Sequence, residues 1–149
     1  MKVLSIQSSA LIISGRVYPD KSRCNHPHAL PVYQRLFGDY NEKKGTSYES
    51  FFWGFSELRT NDLDVATTRA LEMIGMLDAK NCKVLILDVP DEICLETDFY
   101  NFSDEIFAYQ YPDELQSHWD CIYDNRNSEK QIIFPYIEES WVIAEVEIN

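Results

Sequence analysis

Three side chains that could bind zinc lie within five residues of one another: Cys24, His26 and His28. Zinc sites in proteins use four such ligands at recurring spacings. This spacing matches no standard zinc finger, and the fourth ligand is unassigned, although His118 or Cys121 could come near. A polar loop is therefore the better interpretation, and we expect no metal at this position.

A second candidate for chemistry is a run of carboxylates after an aliphatic strand: Asp88, Asp91, Glu92, Glu96 and Asp98. Carboxylates at a strand end can hold Mg²⁺. Asp91 and Glu92, however, are explained by the start of a short helix, where the helix dipole favours negative charge. The sequence contains no Ser-His-Asp pattern, no P-loop and no GxGxxG, so hydrolase and nucleotide-kinase functions have no support.

Charge is unevenly distributed along the chain, whose net formal charge is -12. Residues 1–24 carry four basic side chains against one acidic, whereas residues 85–149 carry two basic against sixteen acidic. Most of this surface would repel a phosphate backbone, which argues against direct nucleic-acid binding. The basic N-terminal stretch could hold a small anionic ligand. The acidic half is either a solvated surface or a binding surface for a basic protein, with segment 91–124 as the contact.

Length and composition predict one domain spanning residues 1–149. A chain of 149 residues with 45% apolar side chains can bury a core without disulfides. The four cysteines are scattered, no apolar run approaches the roughly 18 residues of a membrane span, and the start lacks a signal-peptide layout. We therefore expect a cytoplasmic protein with reduced thiols and no membrane partner. The sequence does not define the oligomeric state.

The predicted elements are organised around residues 83–89, where four consecutive aliphatic side chains indicate a strand buried on both faces. Gly54, inside an aromatic strand, indicates a bulge or a close backbone approach. The pattern predicts further strands at 2–7, 16–18, 48–55, 131–134 and 141–148, and helices at 8–13, 29–37, 63–77 and from 112 onward. Gly15 is expected to end the first of these helices in a left-handed conformation. Helix 63–77 is expected to pack on the sheet through Leu63, Ala70, Ile74 and Leu77. The predicted class is α+β, with helices flanking a mixed central sheet.

Several short motifs together resemble the bacterial domain-of-unknown-function family 3841. They are the opening strand through Gln7 followed by Gly15, the aromatic block 48–55, the Val84–Glu92 strand and turn with the following Thr97-Asp98-Phe99, Trp119 in the late helix, and the Lys130–Phe134 strand. The resemblance spans nearly the whole chain. It departs from the family near the C-terminus, where the usual Trp-Glu pair does not follow the Gln131 strand. The family name implies no activity.

The order of elements also resembles ADP-ribosyltransferase-type domains, whose fold splits NAD. Those domains often end with a Glu-aliphatic-aliphatic-aliphatic-Pro strand and a Trp-Ile/Val pair, and here residues 131–135 and 141–142 occupy these places. The resemblance implies that Ser5 or Gln7 replaces the first-strand residue that holds the NAD ribose. It places Gln131 where the catalytic glutamate belongs, unless Glu129 takes that role.

The same resemblance implies how NAD would be bound. Tyr18 or Tyr48 would sandwich the nicotinamide, and Arg16 with Arg23 would hold the pyrophosphate. A carboxylate stabilises positive charge developing at the ribose far better than a neutral amide does, so Gln131 predicts weak or no catalysis. Alternatively, the tyrosines are ordinary half-buried strand residues and the arginines are solvated.

These observations lead to two hypotheses. The first is a small bacterial or phage-type domain that binds a nucleotide or another small anionic ligand in an ADP-ribosyltransferase-like cleft. Any enzymatic activity would be of the NAD glycohydrolase or ADP-ribosyltransferase type. The alternative is a non-enzymatic acidic protein that inhibits a basic, nucleic-acid-binding partner. A basic-lined cleft would favour the first hypothesis and a continuous acidic face the second.

Overall fold

The computed structural model describes residues 1–20, 27–57, 62–73, 81–124 and 129–148. This part of the chain contains eight strands: β1 (Lys2–Ser8), β2 (Arg16–Val17), β3 (Phe52–Glu57), β4 (Cys82–Asp88), β5 (Leu95–Asp98), β6 (Lys130–Phe134), β7 (Ile137–Glu138) and β8 (Val142–Glu147). It also contains three α-helices: α1 (Leu30–Lys44), α2 (Leu63–Met73) and α3 (Phe99–Gln110). Four 3-10 turns lie at 27–29, 91–93, 119–123 and 139–141.

Six strands form one sheet in the order β5-β6-β3-β1-β4-β8, and β2 and β7 form a separate two-stranded ribbon. Every pairing in the described chain is antiparallel. The α+β class is therefore confirmed, and the predicted mixed sheet is wrong. An aliphatic run indicates burial on both faces of a strand, but it carries no information about the direction of its neighbours.

Strand β4 is internal, as its sequence predicts. It pairs with β1 from Lys2↔Asp88 to Ser8↔Cys82 and with β8 on its other side. All side chains from Lys83 to Leu87 are buried. The aliphatic run is buried on both sides because three helices cover one face of the sheet and the β2–β7 ribbon with its flanking segments covers the other.

Side-chain alternation divides the sheet into two faces, which we call the helix face and the ribbon face. The helix face packs against α1, α2 and α3, and its sheet residues include Leu4, Phe55, Val84, Ile86 and Ile133. The ribbon face includes Val3, Phe52, Leu85, Leu87, Ile132 and Phe134. The helices of the described chain therefore lie on one side of the sheet rather than flanking it on both.

The segment after β1 covers the ribbon face in an extended conformation. Leu11 and Ile13 pack against the core of that face, while Ile12 between them is 78% exposed. The predicted helix at 8–13 is therefore wrong, because alternate burial along this segment suits an extended chain rather than a helix. Gly15 is left-handed, with φ of 59°, but it leads into β2 instead of ending a helix.

The predicted helix after Pro112 is also absent, and a 3-10 turn at 119–123 takes its place. The buried carboxylate of Glu105 accepts hydrogen bonds from the Ser117 hydroxyl and the His118 backbone N–H, both at 2.6 Å. These bonds hold 117–118 against α3 without a helix. The side chains of Trp119 and Ile122 are still buried, so the apolar pattern was right about burial and wrong about conformation.

The two helices before β4 match their predictions in part. Helix α1 continues beyond residue 37 to Lys44 and ends at Gly45, whose φ is 67°. Helix α2 packs through Ala66 and Ala70, whereas Leu63 is 38% exposed. The predicted packing residues Ile74 and Leu77 lie outside the described residues.

Gly54 marks a close approach between β3 and β1. A Cβ atom added there would lie 2.8 Å from the carbonyl oxygen of Leu4 and would collide with the Val3 side chain. Gly38, in the middle of α1, is exposed, and a Cβ there would meet no atom within 4 Å. The structure therefore excludes a side chain at Gly54 and has room for one at Gly38.

We expect Gly54→Ala to destabilise the protein by about 1–3 kcal/mol, because β1 and β3 must move apart to admit the methyl group. Gly38→Ala should stabilise it by about 0.5–1 kcal/mol, because alanine loses less backbone entropy in a helix. Urea unfolding of both variants measures the difference. Equal stabilities would show that the β1–β3 contact is not tight.

Candidate functional site

The structure separates the residues that were predicted to form a catalytic site. Leu4 pairs with Phe55, and Phe55 pairs with Gln131, so these three side chains share the helix face. Ser5 and Gln7 alternate with Leu4 and therefore point to the ribbon face. The sheet itself lies between Gln7 and the pair Glu129–Gln131, and the three predicted catalytic residues do not meet in one cleft.

Ser5 and Gln7 are used within the ribbon face. The Ser5 side chain is fully buried and its hydroxyl donates to the backbone carbonyl of Trp53. The side-chain amide of Gln7 donates to the Ser5 hydroxyl at 2.9 Å. Beside Gln7 in the register, the buried ammonium of Lys83 binds the Leu11 carbonyl and the Glu145 carboxylate. This network holds the 11–14 segment against the sheet.

Glu129 and Gln131 are buried beneath the helices. Glu129 is 3% exposed, and its carboxylate forms an ion pair with Arg69 of α2. Its backbone carbonyl accepts from the N–H of Phe99 at the start of α3 at 3.0 Å. The side-chain nitrogen of Gln131 has no hydrogen-bond partner among the described residues. Glu129 thus connects α2 to the sheet through its carboxylate and α3 through its backbone carbonyl, and it lines neither of the two pockets described below.

Three residues predicted to bind a cofactor do come together, around Tyr136. The ring of Tyr136 lies 5.9 Å from that of Tyr18 and 6.3 Å from that of Tyr48, between centroids. The guanidinium of Arg16 lies 4.0 Å above the same ring. Trp141 stacks on Tyr136 with centroids 5.4 Å apart. The sequence indicated Tyr18, Tyr48 and Arg16, but it did not indicate Tyr136 or Trp141.

An open pocket of about 260 Å³ lies between Tyr18 and Tyr48. Its lining consists of Tyr18, Pro19, Ser47, Tyr48, Glu49 and Ser50. The Tyr18 side chain is 54% exposed, so its ring remains open to a second planar group. Two serine hydroxyls and one carboxylate add hydrogen-bonding groups. We call this feature the tyrosine pocket.

The turn that carries Tyr48 is held by one asparagine of α1. The side-chain oxygen of Asn41 accepts from the Thr46 hydroxyl at 2.8 Å and from the Tyr48 backbone N–H at 2.9 Å. Its side-chain nitrogen donates to the Tyr48 carbonyl at 2.8 Å. All three bonds are local, so the position of the Tyr48 backbone is fixed before any ligand arrives.

Arg16, on the other side of Tyr136, is already paired. Its Nε donates to the Glu138 carboxylate at 2.5 Å across the β2–β7 ribbon. The pKa of Arg16 lies above its usual value because its side chain forms hydrogen bonds with Tyr18, which has the larger effect, and with Glu138. The positive charge predicted for phosphate binding is therefore largely balanced by Glu138. Arg23, the other predicted phosphate ligand, lies outside the described residues.

A second depression, of about 400 Å³, lies where α1 meets the 119–123 turn, and no sequence pattern indicated it. The guanidinium of Arg35 lies 4.4 Å above the Trp119 ring. Asp39 accepts from Trp119 Nε1 at 2.7 Å and from the Tyr123 hydroxyl at 2.6 Å. Burial and the Asp39 carboxylate raise the pKa of Tyr123. These contacts join the turn to α1.

Two further candidates for chemistry are a metal site and the buried thiol of Cys94. No group of three His, Cys, Asp or Glu side chains among these residues could hold a metal ion. Two of the three residues considered for zinc, Cys24 and His26, lie outside the described residues. Burial raises the pKa of Cys94 to about 12, which keeps that thiol protonated and unreactive at neutral pH.

Comparisons with protein-family models, with curated proteins and with solved structures found no match to this chain. The resemblances to family 3841 and to ADP-ribosyltransferase-type domains therefore stay predictions from the motifs. Among the described helices, none has the length and apolarity needed to cross a membrane.

We expect Glu129→Gln to lower the free energy of unfolding by about 1–3 kcal/mol, because Arg69 loses a buried partner. The loss is smaller than for a fully buried pair, because the Arg69 side chain is 35% exposed and can regain water. Glu42→Gln, at an exposed position of α1, is the matched control and should change stability little. If both variants unfold at the same urea concentration as the wild type, the Glu129 ion pair has no structural role.

Proposed function

We propose that this protein is a non-catalytic binding domain whose tyrosine pocket takes the planar ring of a nucleotide-class ligand. The observation that carries the proposal is an open pocket lined by Tyr18 and Tyr48, whose rings both contact the Tyr136 ring. Stacking of a base on an aromatic side chain contributes about 1–3 kcal/mol and tolerates different bases. Ser47 and Ser50 offer hydrogen bonds to the edge of such a ring.

The ring, rather than the phosphate, is the part of the ligand that this pocket favours. Glu138 balances the charge of Arg16, and Glu49 places a carboxylate in the pocket lining. A pyrophosphate would have to compete with Glu138 for the guanidinium. NAD and ADP-ribose remain candidates through their nicotinamide and adenine rings, in keeping with the ADP-ribosyltransferase-like order of elements.

The two residues that the resemblance assigns to catalysis, Glu129 and Gln131, do not line the tyrosine pocket. An ADP-ribosyltransferase-type reaction needs a carboxylate beside the ribose to stabilise its developing positive charge. Glu129 is buried on the helix face and paired with Arg69, and Gln131 is neutral and also buried there. We therefore expect NAD glycohydrolase and ADP-ribosyltransferase activities to be weak or absent.

Calorimetric titration with NAD and with nicotinamide riboside, which lacks the pyrophosphate and adenosine, tests the proposal. Tyr18→Leu should weaken binding of both ligands by about 1–3 kcal/mol, because one stacking surface is lost. Glu138→Gln should strengthen binding of NAD and leave the riboside unchanged, because it frees the Arg16 guanidinium for the pyrophosphate. The exposed pair it removes is worth about 0–1 kcal/mol, so the fold should persist.

Tyr109→Leu serves as the control, since Tyr109 is an equally exposed tyrosine on α3, outside the pocket lining. If Tyr18→Leu leaves both affinities unchanged, or if Tyr109→Leu lowers them equally, the tyrosine pocket is not the binding site. Absence of binding by both ligands to the wild type would remove the ligand class as well.

A further inference from the structure

The outward side of α3 carries aromatic side chains where a surface helix normally carries polar ones. Tyr100, Phe107 and Tyr111 are 47%, 40% and 50% exposed. With the exposed Asp104, Tyr100 and Phe107 occupy positions i, i+4 and i+7, which lie on one side of the helix, and Tyr111 directly follows its last turn. The rings of Phe107 and Tyr111 are in contact, with centroids 4.8 Å apart. We call these four residues the α3 stripe.

Helix α3 is already packed on its other side, so the stripe is not needed to hold the helix in place. Phe102 and Ala108 are buried against the helix-face core, and Glu105 is buried in its bonds to 117–118. At the N-terminus, the Asp98 side chain accepts from the Asn101 N–H at 2.8 Å. Core packing and capping therefore account for the inner side of α3, and the exposed aromatic rings need another explanation.

The chain segment that carries the α3 stripe has formal charge of one sign. Residues 84–124 contain no lysine and no arginine. Asp104 lies within the stripe, and Asp113 and Glu114 follow Tyr111 at exposed positions. Aromatic faces and carboxylates are both complementary to cationic side chains, since arginine stacks on rings and pairs with carboxylates.

We propose that the α3 stripe is the docking surface for an amphipathic segment of a partner protein that is rich in arginine and lysine. The apolar side of that segment covers Phe107 and Tyr111, which supply the desolvated anchors typical of interface centres. Its cations meet Asp104, Asp113 and Glu114, which set the orientation of the segment and speed its association. A second copy of this chain is the weaker occupant, because its net charge is also -12.

The probe for this surface is a fluorescein-labelled peptide of about 18 residues, long enough to form a helix when bound. It has leucine at every third or fourth position and arginine elsewhere, and anisotropy measures its affinity. The double change Phe107→Ser with Tyr111→Ser should weaken binding about tenfold or more, because it removes the apolar anchors. Asp104→Lys should weaken binding and flatten its salt dependence, since exposed charges are screened by salt.

Two control variants make matched changes elsewhere on the surface. Ile12→Ser with Ile143→Ser removes two apolar side chains that are 78% and 61% exposed. Glu42→Lys reverses an exposed charge on α1, as Asp104→Lys does on α3. Both controls should bind the peptide within about twofold of the wild type, a difference of less than 0.5 kcal/mol. Circular dichroism confirms that every variant is folded.

Three outcomes would overturn the proposal. The wild type fails to bind the peptide at low salt. Alternatively, the α3 variants and the controls weaken binding equally, which indicates attraction to a generally acidic surface. Finally, sedimentation velocity finds a dimer that the Phe107/Tyr111 change dissociates, which makes a second copy the occupant. The tyrosine pocket is not altered in any of these variants, so the result does not depend on the nucleotide proposal.

Discussion

The structure depends on the close contact between β1 and β3 at Gly54. This contact joins the β1–β4–β8 half of the sheet to the β5–β6–β3 half and sets the register between them. A slip of one residue would move every side chain of one half to the opposite face. The register therefore decides that Ser5 and Gln7 lie under the ribbon, while Glu129 and Gln131 lie under the helices.

As a result of that separation, the buried polar groups make structural contacts on both faces of the sheet. The buried polar groups hold elements together: Lys83 binds the 11–14 segment, Glu129 binds α2, and Glu105 binds 117–118. Accessible aromatic groups occur instead at the tyrosine pocket beside the β2–β7 ribbon and along the outward side of α3. The two surfaces differ in chemistry. The tyrosine pocket offers space for a planar ring, whereas the α3 stripe offers aromatic rings beside carboxylates.

The sequence predicted those features that depend on local pattern. The aliphatic run of β4, the left-handed Gly15 and the close approach at Gly54 each follow from residue type at one place. The helix expected at 8–13 failed because Leu11 and Ile13 gain more by packing on the ribbon face than a short helix could provide. The positions of Gln7 and Gln131 on opposite faces could not be predicted, because they depend on register across an intervening strand. The ion pair of Arg16 with Glu138 depends on the pairing of β2 with β7, two strands that are distant in sequence.

The central claim is that ligand binding occurs at the tyrosine pocket and not at a cleft containing Gln131. Chemical-shift mapping by NMR during titration with NAD tests it most directly, with the aromatic side chains and the glutamine side-chain amides assigned. If NAD binds at the tyrosine pocket, the ring signals of Tyr18, Tyr48 and Tyr136 shift, and the side-chain amide signals of Gln7 and Gln131 stay unchanged. Coupled shifts of Gln7 and Gln131 with unperturbed tyrosines would contradict the account, because they would require one ligand to contact both faces of the sheet.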